Sequence, residues 1–286
     1  MINTKTKLIG LLGNPLEHSF SPAMHNQAYK KNKLNFLYLP LEVNNKNIEN
    51  VLIGMKKLNF IGFNITIPHK INIIKYLDEI DSVAEKIGSV NTVKIEKGKL
   101  KGYNTDGLGF IRSLKEEKKQ EINGKKILVL GAGGASRSIS IVLAENHAKK
   151  IYIANRTIEK AKNLSNDVNK KVKNCSEYLN LNDKNIIKDI INDVDIIVNT
   201  TSLGMYPKVD ESPLHKDIIT PDKLVVDIVY NPFKTKLLKD SEGIGCDILF
   251  GLGMLVNQGA EAFEIWTGLQ APVDDMRTSL IEKLKF

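Results

Sequence analysis

Several short runs combine residue types that can move a proton or hold a polar ligand. Phe63-Asn64-Ile65-Thr66-Ile67-Pro68-His69-Lys70 is a strand pattern that stops at a proline and delivers a histidine and a lysine. The pattern predicts Lys70 at the start of a helix. The positive end of the helix dipole disfavours a cation there, which eases release of a proton and makes Lys70 the candidate acid–base group. His69 is the more familiar catalytic type, but a lone histidine is more often structural, and it ranks below Lys70. Gly102-Tyr103-Asn104-Thr105-Asp106-Gly107 puts Asp106 at the end of an apparent strand, where it could accept from a ligand hydroxyl or from Lys70. Gly88-Ser89-Val90-Asn91-Thr92-Val93 adds Asn91. The first strand runs into Asn14-Pro15-Leu16-Glu17-His18-Ser19-Phe20-Ser21, whose hydroxyls at Ser19 and Ser21 can face one way. Ser21 would serve equally as a helix N-cap, and turn chemistry competes for each Asn, Thr and Asp.

A second kind of chemistry is carried by Gly131-Ala132-Gly133-Gly134-Ala135-Ser136, which follows a continuous apolar strand and opens a helix. Glycines at such a turn let the backbone approach a pyrophosphate, which then sits against free N–H groups at the helix start. Ser136 stands where the strict fingerprint has Gly or Ala. The next strand ends in Asn155-Arg156-Thr157, with Lys160 one turn on. A site for NAD needs an acid near this place to accept from the ribose 2′-hydroxyl. A guanidinium and a hydroxyl suit a 2′-phosphate instead, which points to NADP.

These residues need a scaffold of alternating strands and helices. Leu8–Leu12, Phe36–Leu41 and Gly62–Ile67 read as strands, with helices opening at Ser21-Pro22 and over 48–58. This β-α-β-α-β order implies a mostly parallel sheet covered by helices. A second α/β unit begins at Lys126. It has strands Ile127–Leu130, Ile151–Ala154, Val194–Val198, Leu224–Ile228 and Ile244–Asp247, and helices from Ala135 to Asn146 and near 158–168. The polar stretch 163–192 holds one strand and one helix with solvated loops. Gly253–Gly268 and Asp274–Leu284 read as closing helices, and the boundary between the two units falls between Asp106 and Ile122.

Composition narrows the function classes. The chain has 286 residues, 42% hydrophobic and 26% charged, which fits a soluble globular protein of about two domains. Lys and Arg number 41 against 33 Asp and Glu, a net charge of +8. No dense basic tract accompanies it, so the balance reads as solvated surface that also suits anionic small ligands rather than nucleic acid. Cys175 and Cys246 have no CxxC spacing, which gives no metal signal and fits a reducing compartment. The start lacks a signal-peptide pattern, and no apolar run approaches the ~18 residues of a membrane span. The expectation is a cytoplasmic protein with small-molecule partners, no membrane or nucleic-acid partner and no metal, as monomer or homodimer.

Taken in order, the motifs resemble the shikimate dehydrogenase family, NADP-dependent enzymes of the shikimate and quinate dehydrogenase group. The matching runs are His18-Ser-Phe-Ser-Pro-Ala-Met-His25-Asn26, Asn64-Ile-Thr-Ile-Pro-His-Lys70, Ser89-Val-Asn91-Thr and Asn104-Thr-Asp106-Gly. They continue with the glycine turn, Asn155-Arg156-Thr157, Asn199-Thr-Thr-Ser-Leu-Gly-Met205, Asp227-Ile-Val-Tyr230-Asn-Pro and the run from Gly251 to Gly268. The resemblance implies two α/β domains with the active site in the cleft between them. One is a substrate domain, 1–106, completed by C-terminal helices 251–286. The other is a Rossmann-like NADP-binding domain, 107–250. It implies Lys70 and Asp106 as the catalytic pair, and Ser19, Ser21, Thr66, Lys70, Asn91, Asp106, Tyr230 and Gln258 around the substrate. For NADP it implies Gly131, Ala132, Gly133, Gly134, Ala135, Ser136, Asn155, Arg156, Thr157, Lys160, Thr200, Ile228, Gly251 and Met254. Ser89 departs from the alanine of many members.

The implied activity is reversible NADPH-dependent reduction of 3-dehydroshikimate to shikimate, an oxidoreductase step of aromatic amino-acid biosynthesis. The alternatives are a quinate/shikimate paralogue of relaxed specificity and a non-catalytic NADP-binding regulatory protein. Arg156-Thr157 opposes the first, and the presence of Lys70 and Asp106 opposes the second.

Overall fold

The computed structural model describes residues 2–17 and 19–284; His18, which opens the first motif, lies outside them. In chain order the elements are β1 (Lys7–Gly13), α1 (Ser21–Lys31), β2 (Phe36–Glu42), α2 (Ile48–Lys57), β3 (Phe60–Ile65), β4 (Glu79–Ile80), α3 (Ser82–Ile87), β5 (Thr92–Glu96), β6 (Lys99–Tyr103) and α4 (Asp106–Lys118). There follow β7 (Lys126–Leu130), α5 (Gly134–Glu145), β8 (Lys150–Asn155), α6 (Ile158–Lys171), β9 (Ser176–Asn180), α7 (Lys184–Asp193), β10 (Ile196–Asn199), β11 (Leu224–Asp227), α8 (Lys236–Ile244), β12 (Asp247–Leu249), α9 (Gly251–Thr267) and α10 (Val273–Leu284). The chain divides into two compact units, Met1–Gly109 with Val256–Phe286, and Phe110–Leu255. The divisions fall inside α4 and α9, a few residues beyond the 106/107 and 250/251 boundaries that the motifs suggest. Residues 251–255 go with the second unit because a Cβ on Gly251 would lie 2.4 Å from the Ile228 carbonyl oxygen.

The first unit is built on a six-stranded sheet in the order β2-β1-β3-β5-β6-β4. β1 pairs in parallel with β2 and β3, and the β5–β6 hairpin adds antiparallel pairs, including Asn64 with Thr92 and Thr92 with Tyr103. This register brings the carboxyl ends of β1, β3 and β6 and the start of β5 to one edge of the sheet. The polar runs after those strands meet there. Leu12, Leu52, Phe63, Ile65, Val93 and Leu100 belong to the core beneath that edge. The C-terminal helices also pack on this unit. Trp266 Nε1 donates to the Val93 carbonyl at 2.9 Å, in space that only a glycine at 62 leaves open, and Phe263 stacks on Tyr29.

The second unit is an all-parallel sheet in the order β12-β11-β10-β7-β8-β9. Its central strands β7, β10 and β11 are near-continuous apolar runs, as in a sheet covered by helices on both faces. The chain steps outward from β7 through β8 to β9, then returns to place β10 against the other side of β7. That reversal makes the β7/β10 edge the switch point at which such sheets hold ligands.

Four local readings need correction. Lys70 is not at a helix start; it lies in a turn before a 3-10 segment, Asn72–Tyr76, so no helix dipole acts on it. Asp106 is the first residue of α4, not the end of a strand. Ser21 is not the N-cap of α1, because Phe20 holds that position. The segment read as strand Ile244–Asp247 begins as the last residue of α8. Gly245, at φ +103°, ends that helix, and the strand runs over Asp247–Leu249.

Candidate active site

The centre of the first unit's polar edge is an ion pair. Lys70 Nζ donates to Asp106 Oδ2 at 2.7 Å, with 27% and 11% of the two side chains exposed. Partial burial keeps such a pair from being diluted by solvent, while the remaining exposure leaves it open to a ligand. The other carboxylate oxygen, Oδ1, accepts from Asn91 Nδ2 at 2.8 Å. Local structure fixes each partner. The Val90 N–H donates to the Lys70 carbonyl at 2.8 Å, tying the lysine turn to the Asn91 loop. Asn104 Oδ1 accepts from the Asp106 N–H at 3.1 Å, in the manner of a helix cap, and its Nδ2 donates to the Ser89 carbonyl and hydroxyl, both at 3.0 Å. The Ser89 hydroxyl therefore adds one more hold on the loop that precedes α4. Asn104 has a clear role in the structure that its sequence position, open to ordinary turn chemistry, did not reveal.

Thr66 follows β3 and is half-buried, its methyl standing where a Cβ on Gly13 would come within 2.4 Å. Ser19 and Ser21 follow β1, and the Ser21 N–H donates to Ser19 Oγ at 3.4 Å. Gln258 lies on α9 against Gly109, one turn past Asp106. A Cβ at 109 would meet the Gln258 backbone nitrogen at 2.5 Å. The first unit thus carries Ser19, Ser21, Thr66, Lys70, Asn91, Asp106 and Gln258, with Lys70, Asp106 and Asn91 in direct contact. Tyr230 belongs to the second unit, where burial raises its phenol above the ordinary range. His69 is buried and structural, with Nε2 against the Val43 carbonyl at 2.6 Å and Nδ1 against Asn45 Oδ1 at 2.9 Å.

The second unit carries the glycine turn at its switch point. Gly131 takes φ +108°, and a Cβ there would strike Thr200 Oγ1 at 2.6 Å. Thr200 in turn donates to the Leu130 carbonyl at 2.7 Å, and Ser136 donates to the Gly131 carbonyl at 2.7 Å. That bond gives Ser136 a turn-holding role in place of the usual small residue. No side chain caps α5, and a Cβ on Gly133 or Gly134 would meet nothing within 4 Å. Unsatisfied N–H groups at an open, positive helix end fit a pyrophosphate. At the end of β8, Arg156, Thr157 and Lys160 are exposed. Neither cation is ion-paired among the described residues, so the cluster fits a 2′-phosphate. Ile228 is half-buried after β11, with Gly251 against its carbonyl and Met254 buried a turn later. Asp227, named in the sequence only as the head of a matching run and given no role there, is fully buried. It accepts from Asn199 Nδ2, Thr235 Oγ1 and the Val229 N–H, while burial raises its pKa. It joins the ends of β10 and β11 beneath this site.

Family models match three segments. One described as the shikimate dehydrogenase substrate binding domain covers residues 11–93, one for shikimate/quinate 5-dehydrogenase covers 113–230, and one for the shikimate 5'-dehydrogenase C-terminal domain covers 251–281. The shikimate dehydrogenase (NADP(+)) of Methanococcus aeolicus is 49% identical over 285 residues, spanning 99% of this chain and 100% of the relative. The chain belongs to the shikimate dehydrogenase family. A shikimate dehydrogenase solved with NADP+ is 44% identical with a TM-score of 0.94, covering 100% of this chain and 98% of that one. The Listeria monocytogenes shikimate 5-dehydrogenase, solved with shikimate and NAD, is 41% identical with a TM-score of 0.93, covering 98% of each chain. A Corynebacterium glutamicum quinate dehydrogenase solved with NAD stands at 30% and 0.90, covering 97% of this chain and 99% of that one. Against this shikimate dehydrogenase background, the substrate-domain model covers Ser19, Ser21, Thr66, Lys70 and Asn91, while Asp106 lies beyond its end at residue 93. No described helix is long and apolar enough to cross a membrane.

Proposed function

We infer that the protein catalyses reversible reduction of 3-dehydroshikimate to shikimate with NADPH, the first unit holding the substrate and the second the cofactor. The observation that carries this reading is the half-open Lys70–Asp106 pair, fixed from behind by Asn91 at 2.8 Å. NADP, when bound by the glycine turn and Arg156, supplies or accepts the hydride. The chain's own residues handle orientation and the proton. Lys70 gives a proton to the C3 oxygen in the reducing direction and takes it back in the other. Asp106 keeps the ammonium aimed at that oxygen and accepts from a neighbouring substrate hydroxyl. Ser19, Ser21, Thr66, Asn91 and Gln258 offer further donors and acceptors for a polyol acid, and Tyr230 is a further candidate for substrate binding. The free, buried thiols of Cys175 and Cys246 support a cytoplasmic setting. We also propose a monomer or homodimer, which sedimentation would distinguish.

The test is the initial rate at the nicotinamide absorbance band, with shikimate or quinate crossed against NADP or NAD. Shikimate with NADP is expected to give the highest kcat/KM. A highest value for quinate with NAD would favour the paralogue reading, and no turnover with any pair would overturn the proposal.

A further inference from the structure

Behind Asn91 the first unit buries a second layer of polar side chains. Tyr38, Asn64 and Thr92, on β2, β3 and β5 of the one sheet, are 1%, 6% and 0% exposed. Each would cost about 1–3 kcal/mol if left without a partner, yet none is. Tyr38 Oη donates to Asn64 Oδ1 at 2.7 Å. Asn64 Nδ2 donates to the Asn91 carbonyl at 3.1 Å and to Thr92 Oγ1 at 2.9 Å. Thr92 Oγ1 donates to Asn91 Oδ1 at 3.0 Å. Asn91 Nδ2 donates to Thr105 Oγ1 at 2.9 Å and to Asp106 Oδ1 at 2.8 Å.

The sense of this chain is not arbitrary. A carboxamide's two ends are told apart by their partners. Two backbone groups supply partners whose roles cannot change. The Asn91 carbonyl can only accept, so it faces the amide nitrogen of Asn64. The Thr105 N–H can only donate, and it reaches Asn91 Oδ1 at 2.8 Å. With the Asn64 nitrogen directed at Thr92 Oγ1, the threonine hydrogen turns to its nearer acceptor, Asn91 Oδ1 at 3.0 Å, rather than to Thr105 Oγ1 at 3.4 Å. That oxygen is then engaged by both Thr92 and Thr105, which leaves the Asn91 nitrogen for the carboxylate. A flipped Asn91 would set its oxygen against the Asp106 carboxylate and its nitrogen against a donor. The Tyr38 ring stacks on His25 with centroids 4.5 Å apart, and burial holds its phenol protonated, so the chain starts from a fixed donor.

We propose that Tyr38, Asn64 and Thr92 are positioning residues for the reaction: together with the Thr105 N–H, their one-way hydrogen-bond chain holds the orientation of the Asn91 carboxamide, and through it the face that Asp106 offers to Lys70. This rests on the Lys70–Asp106 reading given under Proposed function. The sequence held one signal of it, an asparagine inside the apolar strand Phe60–Ile65, but the partners of Asn64 lie on other elements and no local spacing discloses them.

The test is steady-state kinetics with shikimate and NADP on Thr92→Val, Thr92→Ser, Asn91→Ala and the double variant Thr92→Val/Asn91→Ala. Thr92→Val keeps the shape and removes the hydroxyl. It is expected to lower kcat/KM for shikimate about tenfold, the equivalent of one hydrogen bond of ~1.4 kcal/mol, and to leave the KM for NADP unchanged. Thr92→Ser should restore activity to near the unaltered value. The double variant should be no slower than Asn91→Ala alone, because a residue acting through Asn91 has nothing left to position. An unaltered kcat/KM in Thr92→Val, or multiplicative losses in the double variant, would overturn the proposal. A purely structural threonine would lower the melting temperature without this pattern. If Thr92→Val does not fold, Thr92→Ala removes the same hydroxyl and carries the same comparison with Asn91→Ala. Absence of shikimate oxidation by the unaltered protein would defeat the underlying reading instead, so the two failures are distinct.

Discussion

Replacing Arg156 with alanine should convert a preference for NADP into near indifference between NADP and NAD. β7 and β8 pair in parallel, with Leu130 opposite Ala154, and the Gly131 N–H donates to the Ala154 carbonyl at 2.7 Å. The glycine turn and Arg156 therefore stand at the ends of adjacent strands, which are spaced about 4.8 Å apart. A ribose that follows a pyrophosphate on the turn meets the guanidinium. Arg156 is exposed and unpaired among the described residues, so none of them competes for it. A charge-assisted hydrogen bond contributes about 1.5–3 kcal/mol, and exposure to solvent places this one at the low end. The expected outcome is a rise of about tenfold in the KM for NADP, since ~1.4 kcal/mol is one decade, with that for NAD nearly unchanged. Salt gives an independent check. Between about 0.1 and 1 M ionic strength the screening length falls from about 10 to 3 Å, so the unaltered protein should lose much of its preference while the variant changes little. Steady-state KM values for both cofactors at two salt concentrations decide the matter. Equal weakening toward NADP and NAD would refute the reasoning.

Ser19→Ala should raise the KM for shikimate while sparing that for NADP, because Ser19 and the glycine turn belong to different units; a parallel loss of NADP affinity, read in the same assay, would make the residue structural. His25 is fully buried, and burial lowers its pKa from 6.5 to about 3. The folded protein keeps it neutral where the unfolded chain is already protonated, so stability falls as pH drops below 6.5, by up to about 1.4 kcal/mol per unit until the folded value is reached. Urea unfolding at about pH 7 and 5.5 should show a shallower loss for His25→Phe than for the unaltered protein, and equal slopes would contradict this.

Much of the frame was legible because local physics writes it. Lys126–Leu130 is apolar at nearly every position since a parallel strand is covered on both faces, and the glycines after it announce the turn. Arg156 could be assigned a role because spacing within one β-α-β unit fixes where it falls. The β5–β6 hairpin was harder to see. Its turn uses Lys97 and Gly98, both in the left-handed region, and a lysine is an unusual choice there. Lys70 was picked out for a reason the structure does not support, since no helix begins at it; its partner, not its position, gives it its setting. The placement of Gln258 beside α4, through the close approach of α9 to Gly109, and the support behind Asn91 are tertiary throughout. Contacts between residues 26 to 28 positions apart leave no periodic trace.

The central claim is that Lys70 and Asp106 act as one proton-handling unit, and a double-mutant cycle on kcat tests it most directly. Lys70→Ala should lower kcat by about 10²–10⁴, the contribution of a positioned acid–base group, while equilibrium binding of shikimate changes much less. Asp106→Asn should also slow turnover, and the double variant should be little slower than Lys70→Ala, since the carboxylate 2.7 Å from the ammonium orients it. If Lys70→Ala raised the KM for shikimate and spared kcat, or if the two losses multiplied in full, the paired mechanism would be contradicted.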